Sequence, residues 1–335
     1  MKRTTSTRAL ASFLAFAAAA CTSVAVQGQE APLDPDTGLP VSKPFEFPEL
    51  GVVQPFWARR VTGYMTTADG TRLRYSVLLP AGAGKFPVVM TLNGYDAGSI
   101  GTTPYLRYKT SMSVSLDKQL VEAGYAVMGV NTAGTGCSSR RLEYTRAQLG
   151  RHGAEAVEFA AAQPWSDGKV GMVGASYSGS SQVATAQNRP PHLRAIVPGM
   201  VLTDYRDAIA PGGVPAPGFL TPFRVVFRAF WSDVVAKAAR EEGDASCLEQ
   251  IEKNLAAEES NSVMHLPVAH PLRDENMDTF ELAREADRIE VPVLSMEAFQ
   301  DQAITPRSSH YQSRLDPVRL WLVQTNGRHD LYFAH

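Results

Sequence analysis

Apolar and polar positions along the 335-residue chain fall into a strand-and-helix rhythm that begins at Arg60. Val61 to Thr67 and Leu73 to Leu79 read as strands on either side of Ala68-Asp69-Gly70-Thr71, a turn signal that predicts a hairpin. Phe86 to Leu92 is nearly continuous in apolar residues, as a strand buried on both faces should be. A helix is predicted over Ser113 to Ala123, with Val114, Leu120 and Val121 turned inward and Gly124 ending it. Ala126 to Val130 is the next strand, followed by a Gly134-Thr135-Gly136-Cys137 turn and a helix from Arg146 to Ala162. Val170 to Val173, a small-residue helix running to Gln187, and Leu193 to Val197 continue the alternation. Strand following helix in this way predicts a doubly wound, mostly parallel α/β sheet.

The rhythm breaks at residue 204. A Pro/Gly-rich segment from Pro211 to Pro222 leads to Phe223, Val226, Phe227, Phe230, Trp231, Val234 and Val235, an apolar face at helical spacing. Residues 204–289 are therefore expected to form an inserted helical cap over the carboxyl edge of the sheet, with those aromatics serving as packing. The sheet resumes with Val291 to Met296 and Val318 to Val323. The core is thus split into 59–203 and 290–335, preceded by an extended proline-rich lead-in over 29–58.

The N-terminus changes the setting. Lys2, Arg3 and Arg8 precede an apolar run from Ala9 to Ala20 that is too short to span a membrane and ends in small residues. Residues 1–28 read as a secretory signal, which implies an exported protein. Cys21, directly after three alanines, offers a lipid anchor as an alternative and is the one route to a membrane; no later apolar run approaches the length of a transmembrane helix. Loss of residues 1–28 removes three basic and no acidic residues, taking the net charge from −2 to −5. Lys and Arg form no basic patch, which argues against nucleic acid as a partner. Two cysteines remain, Cys137 and Cys247, either bridged in an oxidising compartment or buried as free thiols.

The chemistry centres on Gly171 to Gly179. A serine, Ser176, stands between a short apolar strand and a helix, with Gly174 two residues before it and Ser178 two after. A turn of that kind reads either as an ordinary glycine-rich turn or as a nucleophile elbow, which exposes a serine hydroxyl above the sheet of an α/β-hydrolase. Ser178 departs from the strict G-x-S-x-G pattern. A serine nucleophile needs a base to take its proton and a carboxylate to orient that base. In this fold both follow the serine in order, just beyond strand ends, and those positions hold Asp301 and His329. His310 and His335 follow no strand. The developing oxyanion needs donors: the N–H of Tyr177 supplies one, and Tyr95 at the end of the third strand reads either as a second through its phenol or as a surface turn tyrosine. Histidines at metal-ligand spacing are absent from the sequence, and no cofactor is expected.

The block Trp165-Ser166-Asp167-Gly168-Lys169-Val170-Gly171, running into Gly174-Ala175-Ser176-Tyr177-Ser178-Gly179, resembles the X-prolyl dipeptidyl-peptidase and cocaine-esterase family of serine hydrolases. Its elbow reads G-x-S-Y-x-G, which accommodates Ser178. Ala68 to Leu73 resembles the family's opening hairpin, and Tyr95-Asp96 resembles the site of the tyrosine whose hydroxyl completes its oxyanion hole. The same resemblance implies Asp301 and His329 as triad acid and base. Ala133 stands where the family usually carries arginine, and Gly94 where proline is common. The family has a C-terminal β-sandwich beyond the histidine, whereas this sequence runs six residues past His329, as an incomplete chain or a shortened member would.

Together these features predict an exported serine hydrolase acting on a small-molecule ester, an amide or an X-Pro peptide through an acyl-enzyme on Ser176. Ser178, where amino-acid ester hydrolases of the family resemble one another in carrying glutamate, weighs against recognition of a free α-amino group. The alternative is an inactive relative serving as a secreted binding module. Oligomeric state is not legible in the sequence.

Overall fold

One eight-stranded sheet organises the described part of the chain, in the order β1-β2-β4-β3-β5-β6-β7-β8. The computed structural model describes residues 57–94, 111–204, 214, 235–261, 278–279, 281–301, 304 and 306–329. All lie in the second of the two units into which the chain divides, Met1–Pro48 and Glu49–His335. The expected signal, nearly all of the lead-in, Tyr95, and the aromatic face from Phe223 to Val234 fall outside the described residues.

The strands are β1 (Arg59–Thr66), β2 (Arg72–Leu79), β3 (Phe86–Asn93), β4 (Ala126–Asn131), β5 (Ser166–Ala175), β6 (Leu193–Gly199), β7 (Val293–Ala298) and β8 (Leu320–Thr325). The hairpin β1–β2 is antiparallel, and β2 meets β4 antiparallel. Every pairing from β4 onward is parallel. The mostly parallel α/β-hydrolase sheet expected from the sequence is present. All six residues of β4 are buried, the signature of a strand covered on both faces. Val88, Met90, Leu92, Met128, Val130, Val170, Met172 and Ile196 form the sealed centre.

The helices are α1 (Ser111–Glu122), α2 (Arg146–Ala161), α3 (Tyr177–Gln187), α4 (Ala236–Glu242) and α5 (Ala245–Asn261). Thr145 caps α2, its Oγ1 accepting from the Gln148 N–H at 3.1 Å. Leu149, Gly153, Ala156, Val157 and Ala160 then recur at helical spacing on the buried face.

The starts of β5, β7 and β8 differ from expectation in ways that bear on the site. β5 starts at Ser166, inside a stretch whose Pro, Ser, Asp and Gly content reads as turn, and its register shifts at Val170/Gly171. β7 starts at Val293, since Pro292 has no N–H to give a ladder. β8 starts at Leu320, because Pro317 to Arg319 form a 3-10 turn capped by Asp316, whose Oδ1 accepts from the Val318 N–H at 3.0 Å. These shifts leave Asp301 three residues past β7 and His329 four past β8.

The described helices of the insertion dock on the β1–β2 side of the sheet and on the loop after β4. Arg60 and Arg74 reach Glu242 at 2.8 and 2.9 Å, and Tyr64 donates to Asp244 at 2.8 Å. Asn254 Nδ2 donates to the carbonyls of Gly136 and Ser138 at 3.0 and 2.9 Å. Cys137 is bonded to Cys247 in the first turn of α5, with Cα atoms 4.6 Å apart. These described helices are therefore fastened to the wall of the sheet by charge, hydrogen bonds and a covalent link.

The hairpin tip carries a second fastening. Asp69 Oδ1 accepts from the hydroxyls of Thr71 and Thr67 at 2.6 and 2.7 Å, and Oδ2 meets Arg140 and His152, each at 3.1 Å. The Thr71 hydroxyl foremost, then Thr67, His152 and the Thr71 N–H, outweigh burial and hold this carboxyl well below the usual carboxylate range. An unfolded Asp titrates near about 4. The stabilisation is therefore complete above that pH and fades as the pH falls through the lower folded value. Asp69→Asn is expected to lower the urea midpoint at neutral pH, by a gap from wild type that narrows below about pH 4. A gap that stays constant as the pH falls would show that the carboxylate charge contributes nothing.

Candidate active site

Ser176 sits where β5 hands over to α3, and its backbone shows the strain of the turn. Its φ is 60° and ψ is −120°, outside the regions an L-residue favours. Its N–H donates to Gly199 O on the neighbouring strand at 2.9 Å, and its own carbonyl receives the first helical bond, from Ser180 N–H at 2.9 Å. The sequence allows the turn at two glycines. Gly174 adopts φ +147°, and a side chain there would collide with Ser178 Cβ. Gly179 lies against Gly199 O, where a side chain would collide with that carbonyl. The space that Gly174 leaves empty is what admits a serine at 178.

Strain of this kind costs roughly 1–3 kcal/mol and persists only if the surroundings over-determine it. The residues of α3 supply that constraint. Every residue from Tyr177 to Gln187 is buried, although many are polar. Ser180 Oγ donates to Ser176 O at 3.0 Å and accepts from Leu202 N–H at 3.0 Å. Ser181 Oγ donates to Leu92 O in β3 at 2.6 Å. Gln182 Nε2 donates to Gly174 O and Ser178 O at 3.0 and 2.8 Å, while its Oε1 accepts from Val197 N–H in β6 at 2.9 Å. At about 1 kcal/mol net for each bond, the set outweighs the strain. Sequence reading took these residues for a small-residue helix and missed the clamp, because polar residues in a helix usually signal an exposed face.

Asp301 and His329 are brought together by the ladder between β7 and β8. The register runs from Val293↔Leu320 to Ala298↔Thr325. Beyond the sheet the departing loops stay joined, Phe299 N–H to Thr325 O and Gln300 N–H to Gly327 O, both at 2.9 Å. The next residues are the dyad: His329 Nδ1 lies 2.7 Å from Asp301 Oδ2. The Asp301 side chain is fully buried and that of His329 is 23% exposed. A buried carboxylate is tolerable only with donors, and Asp301 Oδ1 has a second one in the Ile304 N–H at 2.8 Å. With Nδ1–H given to Asp301, the lone pair of His329 is on Nε2, the nitrogen a general base uses. His310 is exposed on the 3-10 helix Pro306–Arg314, and His335 lies outside the described residues.

Tyr177 opens α3. Since the first helical bond comes from Ser180, the helix ladder does not use the Tyr177 N–H, and the positive end of the helix dipole lies at this turn. Its side chain is buried, the phenol 2.8 Å from Thr132 Oγ1 and the ring edge-on to Tyr144 at 4.7 Å. Tyr95, the other expected oxyanion donor, lies outside the described residues; β3 ends two residues before it. Tyr144 and Met200 adopt φ of 55° and 43°. With Ser176, three left-handed non-glycine residues thus gather around the elbow, a clustering that sequence patterns do not report. Among the described residues, no group of His, Cys, Asp and Glu is placed to hold a metal ion.

A model of the X-Pro dipeptidyl-peptidase (S15) family matches residues 69–330, most of the chain and every site residue above. The chain belongs to that family. It is 33% identical over 169 residues to a protein of Mycobacterium bovis named as a serine esterase, covering 47% of this chain and 27% of that one. It is 30% identical over 152 residues to the cocaine esterase of a Rhodococcus species, covering 43% and 24%. The matches to these relatives thus span about a quarter of their length. Among solved structures, a CocE/NonD family hydrolase from Staphylococcus aureus shares the fold with a TM-score of 0.63 at 22% identity, over 82% of this chain and 47% of that one. An α-amino acid ester hydrolase does so with 0.62 at 20% identity, over 90% and 52%.

The link between Cys137 and Cys247 closes a loop of 110 residues. In the simple chain-entropy picture such a bridge removes roughly 4–5 kcal/mol of denatured-state freedom. Protein purified under oxidising conditions is expected to yield a Cys137–Cys247 cross-linked peptide in a non-reduced digest, and to melt at lower temperature after reduction. Two freely alkylated thiols in the folded protein would contradict the link.

Proposed function

We propose that this chain is a serine hydrolase that cleaves acyl esters through a covalent intermediate on Ser176, with His329 as base and Asp301 as the acid that orients it. The observation that carries the reading is the 2.7 Å contact between His329 Nδ1 and the fully buried Asp301 carboxylate, at the sheet edge where the strained Ser176 turn also lies. In the first step Ser176 Oγ bonds to the acyl carbon as its proton passes to His329 Nε2. The carbonyl electrons move to oxygen, and the N–H of Tyr177 and the phenol of Tyr95 receive that charge. When the oxyanion collapses, the bond to the leaving group breaks and His329 returns the proton to it. Water repeats the sequence on the acyl-enzyme, with His329 again taking and returning the proton, and frees Ser176.

Esters are placed before X-Pro amides because the relatives at 30–33% identity carry esterase names. Family membership keeps an amide or X-Pro peptide as the rival substrate. Residues 1–28 support export, and Cys21 supports lipid attachment at a membrane surface as the alternative. Among the described residues, no helix is long and apolar enough to cross a membrane.

Ser176→Ala and His329→Ala are each expected to lower turnover of a p-nitrophenyl ester by about 10⁴-fold or more. Ser176→Ala should leave the melting temperature nearly unchanged, whereas His329→Ala should lower it by taking a donor from the buried Asp301. Near-normal turnover by folded Ser176→Ala would overturn the reading. A kcat/KM for an X-Pro p-nitroanilide above that for simple esters would keep the mechanism and replace the substrate class.

A further inference from the structure

We propose that Thr132 is a positioning residue that holds Tyr177, the residue whose N–H we read as an oxyanion donor. The proposal rests on the reading of Ser176 as the nucleophile. Thr132 is the first residue past β4, at the carboxyl edge of the sheet, and it is buried. Its N–H donates to Asn93 O at 2.9 Å, extending the parallel register Asn93↔Asn131 by one bond beyond the strands. Asn93 ends β3 and lies two residues before Tyr95. Thr132 Oγ1 lies 2.8 Å from the phenol oxygen of Tyr177. Thr132 is thus held to the end of β3 by its backbone and holds Tyr177 by its side chain.

The loop around this contact is itself tied down. Thr135 Oγ1 donates its one proton to Thr132 O at 2.8 Å, which closes the turn that presents Thr132 Oγ1 to the Tyr177 phenol. Tyr177 is then fixed at its tip by Thr132 and across its ring by Tyr144. Tyr144 is itself held at φ 55°, a conformation that a tyrosine adopts only under constraint. Two residues further along the same loop from Thr135, Cys137 is bonded to α5. The loop that fixes Tyr177 is therefore anchored independently of the elbow.

A side chain clamped at tip and face leaves its own backbone little freedom, and that backbone carries the N–H aimed at the developing charge. Contacts that matter only as charge develops change kcat more than KM. Removing a whole oxyanion donor lowers kcat by about 10²–10³, and misplacing one should lose a part of that, roughly 10-fold.

The test uses Thr132→Val, which keeps shape and removes the hydroxyl, beside Thr132→Ser, Tyr177→Phe and the double variant, all in the full chain with a p-nitrophenyl ester. Expected are a roughly 10-fold fall in kcat with KM within about twofold for Thr132→Val and Tyr177→Phe, and recovery in Thr132→Ser. The double variant should be no worse than either single one, since both remove the same bond. If Thr132→Val does not fold, Tyr177→Phe against wild type carries the same kcat and KM comparison. A kcat within twofold of wild type, an effect on KM alone, or additive losses in the double variant would overturn the proposal. Ser176→Ala is measured alongside. An inactive Ser176→Ala with unaffected Thr132→Val defeats this inference alone, whereas an active Ser176→Ala defeats the reading beneath it.

Discussion

The backbone of Ser176, forced to φ 60° and ψ −120°, is the constraint on which the rest of the site depends. A turn this sharp lifts the hydroxyl away from the sheet and starts a helix directly behind it. Left to itself the turn would relax. It is kept by a buried helix whose polar side chains bond backward and sideways, Gln182 to Gly174 and Val197, Ser180 to Ser176 and Leu202, and Ser181 to Leu92. β3, β5 and β6 all take part, so the elbow is secured by the centre of the sheet and not by its own loop.

The other half of the site rests on register. β7 and β8 pair in step for six residues, and two further backbone bonds carry the pairing past the sheet before Asp301 and His329 meet. Slippage by one residue would separate acid from base. The buried Asp301 gains its donors from His329 and Ile304 only in that register, so the chemistry and the pairing support each other. On the opposite side, the ion pairs of Arg60 and Arg74 with Glu242, and the Cys137–Cys247 link, fasten α4 and α5 to the wall near the loop that reaches Tyr177.

The sheet was legible because its strands are short apolar runs punctuated by Gly, Asp and Pro, and that punctuation survives folding. Strand starts at 293 and 320 were less so, since an apolar residue inside a 3-10 turn, Val318, or beside a proline, Val291, looks like a strand residue until its hydrogen bonds are known. Ser176, Asp301 and His329 could be picked out from order and strand ends, and the structure joins the last two directly. The clamp within α3, the left-handed Tyr144 and the bond from Thr132 to Tyr177 gave no signal. They arise from contacts between residues up to 89 positions apart or from backbone angles, neither of which has a period in the sequence. The direction in which the insertion docks was equally hidden, because charge pairs such as Arg74–Glu242 join residues 168 positions apart.

The claim that Ser176 is an activated nucleophile is tested most directly by treating the folded protein with a fluorophosphonate and mapping the adduct by mass spectrometry. The account predicts a single phosphonyl group on the peptide containing Ser176, its formation slowed by a competing ester and lost in His329→Ala. A folded protein that takes up no reagent, or takes it up at a serine elsewhere, would contradict it.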